Sequence, residues 1–376
     1  MAYVGKVETK FEVPLFDLSY ANSLIKEYII GVMYSHVTSS TYILGPDVKL
    51  FEEKFASLIG CQRAIGVNSG TDALFISLKA LGIGRGDKVL TVPNSYIATA
   101  QAIAYIGAEP VFIDVDDNTM NMDLNLLSTV DIKNIKAVIP VHLYGFPVDI
   151  PKLRSIIGND IPIIEDCAQS HGALVGESLA GSMGDVGCFS LHPAKILSSL
   201  GDAGVITTNN HDVADQCLLY RNFGLVDRES SVLMGYNSRL DNIYAAIMHK
   251  KIDLFNQMLE RRLASAAIYY DELSSVEGIK LPPKEEGFRN VHNFFVIRVD
   301  NRDDLKKFLE ERGIESKIHY PIPIHLQKSF AQYGYGRGDF PNAEKQANTI
   351  LTIPVAEHLS KDQISKVAEA IKSFLN

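Results

Sequence analysis

Three short segments of this 376-residue chain carry residue types whose order and spacing allow chemistry. The first is Gly66-Val67-Asn68-Ser69-Gly70-Thr71-Asp72-Ala73-Leu74, a polar turn that runs straight into a helical pattern. Backbone N–H groups at such a helix start, with the Ser69 and Thr71 hydroxyls, can hold a phosphate. The same pattern also serves an ordinary capped helix in which Ser69 or Thr71 satisfies the first amides. There is no G-x-G-x-x-G here and no Walker lysine, which disfavours a dinucleotide or P-loop site.

The second segment, Ile161-Pro162-Ile163-Ile164-Glu165-Asp166, ends a largely apolar run in two carboxylates. Open α/β sheets place their ligands at that end of a strand. A half-buried carboxylate there needs a cationic partner or several hydrogen bonds, and a protonated pyridine nitrogen is one such partner. A helix cap for the following segment is the plainer alternative. The third segment is Cys188-Phe189-Ser190-Leu191-His192-Pro193-Ala194-Lys195, followed by Gly201-Asp202-Ala203-Gly204. Most lysines are solvated surface charges. Lys195 instead sits in a weakly charged stretch between two apolar runs, where a desolvated amine has a lowered pKa. Such a lysine can form a Schiff base with a carbonyl cofactor, and Ser190 at the strand end can meet its phosphate. Phosphate cradle, strand-end aspartate and lysine follow one another in the order a pyridoxal phosphate enzyme needs. The aspartate keeps the ring nitrogen protonated, and the lysine holds the cofactor and shuttles the proton.

Elements able to position these residues are legible between about Ala64 and Asn209. Short runs rich in Val and Ile, bounded by Gly, Pro, Asp or Asn, read as buried strands at Lys88–Val92, Pro110–Val115, Ala137–His142, Ile161–Ile164, Val186–Phe189 and Gly204–Thr208. Helix-length segments such as Thr71–Leu81 and Ile97–Ile106 alternate with them, which implies a largely parallel sheet with helices on both faces. Leu18–Met33 and Pro46–Ile59 read as helices, the latter with Pro46 at a first position and Gly60 just past the end. Ser238–Leu273 reads as one long, kinked helical stretch. A Pro282–Pro283 break, a strand at Asn293–Val299, and helices at Arg302–Arg312 and Lys361–Leu375 follow. The expectation is an α/β fold with a large unit, residues 1–250, on a mainly parallel sheet, and a smaller C-terminal α+β domain, residues 251–376.

Composition bounds the function. With 46% hydrophobic and 22% charged residues, the chain is neither disordered, nor a coiled coil, nor collagen-like. A net charge of −9 with no basic block argues against nucleic acid as the main partner, while a locally basic pocket for an anion stays possible. The Met1–Pro14 stretch carries Lys6, Glu8, Lys10 and Glu12 and lacks the apolar run of a signal peptide. No apolar run is long enough to span a bilayer. The four cysteines, Cys61, Cys167, Cys188 and Cys217, form no C-x-x-C pair and fit neither a disulfide scaffold nor a zinc site. A cytoplasmic protein without a metal is expected.

The ordered motifs resemble those of the DegT–StrS group of nucleotide-sugar aminotransferases, which are fold-type I pyridoxal phosphate enzymes. The resemblance runs nearly end to end through Ile43-Leu44-Gly45-Pro46, Asn68 to Leu74, Glu165-Asp166-Cys167-Ala168-Gln169, Phe189 to Lys195, Gly235-Tyr236-Asn237-Ser238-Arg239-Leu240-Asp241 and His319-Tyr320-Pro321-Ile322-Pro323-Ile324-His325. It implies that Lys195 holds the cofactor covalently, that Asp166 pairs with the pyridine nitrogen, and that Gln169 lies near the ring's phenolic oxygen. It implies phosphate binding by Ser69, Gly70, Thr71 and Ser190, and stacking of Tyr96 on the ring. Tyr96 would otherwise be a core tyrosine under the sheet. Asn237 and Arg239 would act across a homodimer interface, although an Arg239–Asp241 surface pair is the simple alternative. His319, Tyr320 and His325 would line the sugar side. Two positions depart from the family pattern, Ala203 in Gly-Asp-Ala-Gly and Ile196 after the lysine. Some members carry histidine in place of the lysine and dehydrate their sugar, so Lys195 favours transamination. The implied reaction moves an amino group from L-glutamate, through pyridoxal and pyridoxamine phosphate, to a nucleotide-linked 3- or 4-ketohexose. The Tyr320–Pro323 loop leans toward the 3-keto class. An octulosonic acid aldehyde, a dehydratase or lyase activity, and a non-catalytic sugar-sensing role are the alternatives.

Overall fold

The computed structural model describes residues 11–375, so residues 1–10 of the Met1–Pro14 stretch considered above lie outside the described residues. Seven strands line up side by side: β1 (Arg63–Val67), β2 (Lys88–Thr91), β3 (Glu109–Phe112), β4 (Ile135–Val138), β5 (Ile164–Asp166), β6 (Val186–Ser190) and β7 (Gly204–Thr208). β2 pairs in parallel with β3 and β4, and β5 in parallel with β6. Parallel bridges Val138–Ile163 and Val141–Asp166 join the two groups. β7 runs antiparallel to both β6 and β1. The spatial order is therefore β3-β2-β4-β5-β6-β7-β1, parallel except for β7.

Both faces of the sheet are covered, which is why its strands read as apolar runs and not as alternating ones. Val89, Ile164, Cys188 and Ile206 feed one core with Leu74 of the Gly70–Ala80 helix. Their neighbours Leu90 and Ile163 join a second core, and Phe189 and Val205 a third. Side chains at successive strand positions point to opposite faces, so each strand serves two layers.

Pro140 and Pro162 have no N–H to donate and interrupt the ladder. The strands expected at Ala137–His142 and Ile161–Ile164 are accordingly observed at Ile135–Val138 and Ile164–Asp166. The long Ser238–Leu273 stretch is two helices, Asn242–Ile252 and Phe255–Leu273. At the break, the amides of Asp253 and Leu254 turn back to the carbonyls of Lys250 and Lys251, and Lys54 pairs with Asp253. The Leu18–Met33 stretch is likewise split, into Leu18–Ser23 and Lys26–Ser39. Pro46–Ile59 appears as expected, ended by Gly60 at φ 77°.

Beyond residue 273, β8 (Phe295–Arg298) pairs antiparallel with β9 (Ile350–Ile353). Helices Arg302–Glu310 and Lys361–Leu375 share a core with this pair, into which Tyr269, Phe295, Leu305 and Leu351 are buried. Among the described residues no helix is long and apolar enough to cross a membrane.

Candidate active site

The ends of β5 and β6, the turn after β1 and the β6–β7 loop meet at one edge of the sheet. Asp166 is the last residue of β5, Ser190 the last of β6, and Gly70 opens the helix after β1. Ser69 is the N-cap, its Oγ accepting the Asp72 N–H at 3.0 Å. The capping alternative is thus realised for that hydroxyl. The Gly70 and Thr71 amides receive no hydrogen-bonding partner among the described residues, as expected of the first turn of a helix. They remain available as donors beside Ser190, against whose Cα and Cβ the Gly70 backbone packs directly.

Asp166 is buried and accepts two hydrogen bonds. Thr99 Oγ1 donates to its Oδ2 at 2.8 Å, and the Ala168 N–H donates to Oδ1 at 3.1 Å. Thr99 Oγ1 lies 2.8 Å from Ser95 Oγ. With the threonine proton committed to the carboxylate, Ser95 is the donor of that contact. Burial pushes the Asp166 carboxyl up, opposed by Thr99, Ala168 and the charge of Lys195. A carboxylate has about four acceptor positions, and two are used, so Asp166 has capacity for one more strong donor.

Its neighbour Glu165 is differently occupied. Oε2 accepts His142 Nε2–H at 2.9 Å and the Gly181 N–H at 3.0 Å, and Oε1 accepts the amides of Met183 at 2.9 Å and Gly184 at 2.6 Å. His142 Nδ1 accepts the Val148 N–H at 2.9 Å, which places the ring proton on Nε2. Cys167 lies close to this pair, the three offering ligand atoms within 4.8 Å of one another. The imidazole and carboxylate are already engaged, however: His142 donates from Nε2 to Glu165 and accepts the Val148 N–H at Nδ1, and both Glu165 oxygens accept backbone amides.

Lys195 stands in the β6–β7 loop, its N–H turned to the His192 carbonyl at 2.9 Å. Its Nζ makes no hydrogen bond or ion pair among the described residues. Burial pushes the amine down to about 8, and Asp166 opposes that fall. Lys195, Pro193, Ala194 and Ser198 line a cavity of ≈ 20 Å³ together with Arg262 and Glu357. A larger hollow of ≈ 560 Å³ lies beside Asp185 and His211 but contains none of these groups, so side-chain chemistry and not volume marks the site.

Gln169 is fixed at both ends. Its Oε1 accepts the Tyr144 N–H at 2.7 Å, and its Nε2 donates to Tyr320 Oη at 3.0 Å. Tyr96 is not a core tyrosine. It is 56% exposed, and its ring lies 5.6 Å from that of Tyr320 at 45°. His319 stacks on Phe294 at 4.2 Å and meets Thr352 Oγ1 at 2.8 Å, and burial pushes its imidazole down to about 4. His325 is 2% exposed, packed edge-on against Phe340, with Nε2 3.1 Å from Glu344 Oε1. Among the described residues, no hydrogen bond or ion pair ties it to the Lys195 group.

Among the described residues, neither Asn237 nor Arg239 makes a side-chain bond to that group. Arg239 donates to Asn222 Oδ1 at 3.2 Å and lies over the Phe223 ring, and the alternative pair with Asp241 does not form. Asn237 is exposed and bridges to Asn222. Between them, Ser238 donates to Asp72 Oδ2 at 2.6 Å, which keeps this segment against the start of the Gly70 helix. Sequence reasoning missed Thr99, Ser95 and Tyr144. Thr99 and Ser95 stand in the same Asn94–Thr99 run as Tyr96, and a hydroxyl two or three residues from a ring-stacking position was the available signal.

The partnerless amine of Lys195 (among the described residues), the spare acceptor capacity of Asp166 and the free amides of Gly70 and Thr71 suit a pyridoxal phosphate enzyme, and comparison with known proteins narrows that class to the aminotransferases. The chain belongs to the DegT/DnrJ/EryC1/StrS aminotransferase family, whose model matches residues 24–372. It is 38% identical over 365 residues to the pleiotropic regulatory protein of Geobacillus stearothermophilus, covering 96% of this chain and 98% of that protein. It is 34% identical over 363 residues to dTDP-3-amino-3,4,6-trideoxy-alpha-D-glucose transaminase of Streptomyces venezuelae, covering 96% of each. The solved structure of S. venezuelae DesV in complex with a ketimine intermediate matches with a TM-score of 0.93 at 34% identity, over 97% of this chain and 98% of that one. That of NtdA from Bacillus subtilis with bound cofactor PMP matches with a TM-score of 0.90 at 27% identity, over 99% and 87%.

Proposed function

We propose that this aminotransferase takes its amino group from an amino acid, L-glutamate, and delivers it to a keto-sugar carried on a nucleotide, in amino-sugar biosynthesis. The net reaction exchanges the donor's amino group for the sugar's carbonyl oxygen. The observation that carries the reading is Lys195, an unpaired amine pushed down to about 8 and close enough to Asp166 for each charge to act on the other. The 3-amino product in the name of the S. venezuelae relative supports the 3-keto class of acceptor.

The residues fit pyridoxal phosphate. When bound, it supplies an electron sink for negative charge at the amino-bearing carbon. Asp166, with spare acceptor capacity and no full countercharge, would hold the ring nitrogen's proton. The Gly70 and Thr71 amides, with the Thr71 and Ser190 hydroxyls, would hold the phosphate where a helix start favours an anion. Ser69 contributes less, since its hydroxyl caps the helix. Tyr96, exposed beside Tyr320, would cover the ring, and Gln169 would steady Tyr320 and the Tyr144 backbone near it. Lys195 would hold the cofactor. At pH 7 an amine of pKa about 8 is unprotonated in about one molecule in ten, against roughly one in 2,500 for an ordinary lysine. Its Nζ can therefore attack a carbonyl and, once free, move the proton at the amino-bearing carbon. His319 and Tyr320 would face the sugar, while His325 would support that side only indirectly, packed against Phe340 and bonded to Glu344.

We further propose a homodimer that completes each site with Asn237 and Arg239 of the other subunit. Exposed apolar residues on the Lys26–Ser39 helix, among them Ile30, Met33, Tyr34 and Val37, support an unfilled interface, as does Met234 at 90% exposure. A boundary between a large unit and a smaller C-terminal domain near residue 250 is supported by the helix break at Asp253. A cytoplasmic setting is supported by four unpaired cysteines. The regulatory name of one relative does not favour a purely sensory role, because a sensor has no need of a buried amine aimed at no partner.

The test is a near-visible absorption spectrum of the reconstituted protein before and after L-glutamate, followed by nucleotide-linked 3- and 4-ketohexoses with mass analysis of the product. Conversion of the band by glutamate and its return by a keto-sugar is expected. A bound cofactor indifferent to glutamate would overturn the donor, and product formation without an amino donor would move the reading to a lyase.

A further inference from the structure

Lys251 is a second buried lysine, and nothing in the proposed reaction uses it. It lies in the last turn of the Asn242–Ile252 helix and is 2% exposed. Its Nζ donates to the Ser198 carbonyl at 2.7 Å, and among the described residues no carboxylate is within ion-pair distance. The opposite charge it feels is Glu357, whose Oε2 already accepts Arg262 Nη2 at 2.7 Å. Burying an ammonium with so little compensation costs stability. An unbranched apolar side chain would fill the same space without that cost, so packing alone does not account for a lysine here.

What the amine holds is informative. Ser198 is three residues beyond Lys195, in the irregular loop between β6 and β7. That loop is closed by the Ser199 N–H on the Leu191 carbonyl at 2.7 Å and by the Leu191 N–H on the Ala203 carbonyl at 2.8 Å. The helix bearing Lys251 forms the surface beneath it. Ala245, Met248 and Ile252 share a core with Leu191, Ile196 and Leu197, and Tyr244 packs on Gly201, where a β-carbon would stand 2.9 Å from its Oη. Ser198 and Lys195 also line the same ≈ 20 Å³ cavity. A shift of the Ser198 carbonyl therefore moves the wall from which Lys195 projects.

We propose that Lys251 is a positioning residue: by holding the Ser198 carbonyl it fixes the loop from which Lys195 reaches the cofactor. The inference rests on the reading of Lys195 as the cofactor lysine. Small displacements of a reacting group are costly, since a misplacement of about 1 Å can lose two orders of magnitude in rate. Lys251 thus gives up fold stability for geometry, and removing it should separate the two.

The experiment uses the full-length protein reconstituted with pyridoxal phosphate, as wild type, Lys251→Met, Lys251→Gln and Lys195→Ala. For Lys251→Met we expect a thermal midpoint equal to or above wild type and a kcat reduced about tenfold or more. The KM for the sugar should stay within about twofold, and the pH midpoint of the lysine-linked near-visible band should move by about half a unit or more. Lys251→Gln, which retains an N–H donor, should recover most of the loss and keeps the test open if the methionine variant does not fold. A methionine variant with wild-type kcat and band midpoint overturns the proposal. So does one whose activity falls only in step with a lowered thermal midpoint. A Lys195→Ala protein that keeps the lysine-linked band would instead overturn the cofactor-lysine reading, and this inference with it.

Discussion

Gly70 and Ser190 approach so closely that a β-carbon on Gly70 would stand 2.6 Å from Ser190 Cβ and 3.0 Å from its Cα. The start of the Gly70–Ala80 helix and the end of β6 therefore touch through backbone, with no side chain between them. Gly204 makes the matching approach from β7, where a β-carbon would meet the Ser69 carbonyl oxygen at 2.3 Å. The proposed phosphate cradle is a place where three backbone segments crowd together.

Gly70→Ala should weaken pyridoxal phosphate binding about tenfold or more while the protein stays folded. Alanine gains about 1 kcal/mol over glycine in a helix, but the new methyl meets Cβ and backbone, which cannot swing away. Equilibrium binding of the cofactor to the variant is the measurement, and an affinity within twofold of wild type would falsify the packing argument.

Asp166→Ala should cut kcat by roughly two orders of magnitude or more, the scale of removing an electrostatic group preorganised at the reacting centre. The oligomeric state, followed by light scattering, should not change. A near-normal rate would remove the role assigned to this carboxylate.

Thr99→Val removes the hydroxyl donor from Asp166 Oδ2 and strands Ser95. Burial already raises the Asp166 pKa, and the lost bond raises it further. A raised carboxylate pKa means more of the neutral acid at a given pH, so the acid limb of the pH–rate profile should move to higher pH. An unmoved limb with reduced Tm would make Thr99 merely structural.

Attachment of pyridoxal phosphate to the cofactor-free protein should quicken as pH rises, with its midpoint near pH 8. Only the unprotonated amine attacks, and Lys195 is half unprotonated there. Stopped-flow absorbance across pH 6–10 reads this directly. A midpoint near that of a free lysine would show that the amine is solvated.

Glu165→Gln should destabilise the fold by about 2–4 kcal/mol, because an amide NH₂ would face N–H donors now satisfied by carboxylate oxygens. Chemical denaturation measures the loss. Cofactor absorbance in the folded fraction should persist, since Asp166 and Lys195 are untouched.

The central strands were legible because a strand covered on both faces leaves a short Val- and Ile-rich run between turn residues, as at Gly204–Thr208. β1 escaped notice, since Arg-Ala-Ile-Gly-Val is short and interrupted by glycine, and β9 because Ile350–Ile353 directly follows a helix. Lys195, Asp166 and Gly70 carry their meaning locally, in segments of a few residues. Gln169 does not: its partners Tyr144 and Tyr320 are 25 and 151 residues away, and no local pattern records such a contact. His325 is the opposite case. Its motif was plain, yet its ring packs against Phe340 and Glu344, a placement decided by the chain that folds over it.

The reversal of β7 has a consequence for assembly of the protein. Because β6 and β7 are antiparallel neighbours, Lys195 lies in a hairpin connection, and its loop can form from contacts close in sequence. The proposed phosphate cradle has no such local route. It arrives when β1, the first strand of the sheet, docks on β7, the last, with Val67 opposite Gly204. That pairing has the highest contact order in the sheet, and distant closures of this kind are slow. A ligand that binds only after the closure stabilises it by mass action. The cofactor should therefore act as a clasp across the most sequence-distant join in the sheet, and refolding with pyridoxal phosphate should outyield refolding without it.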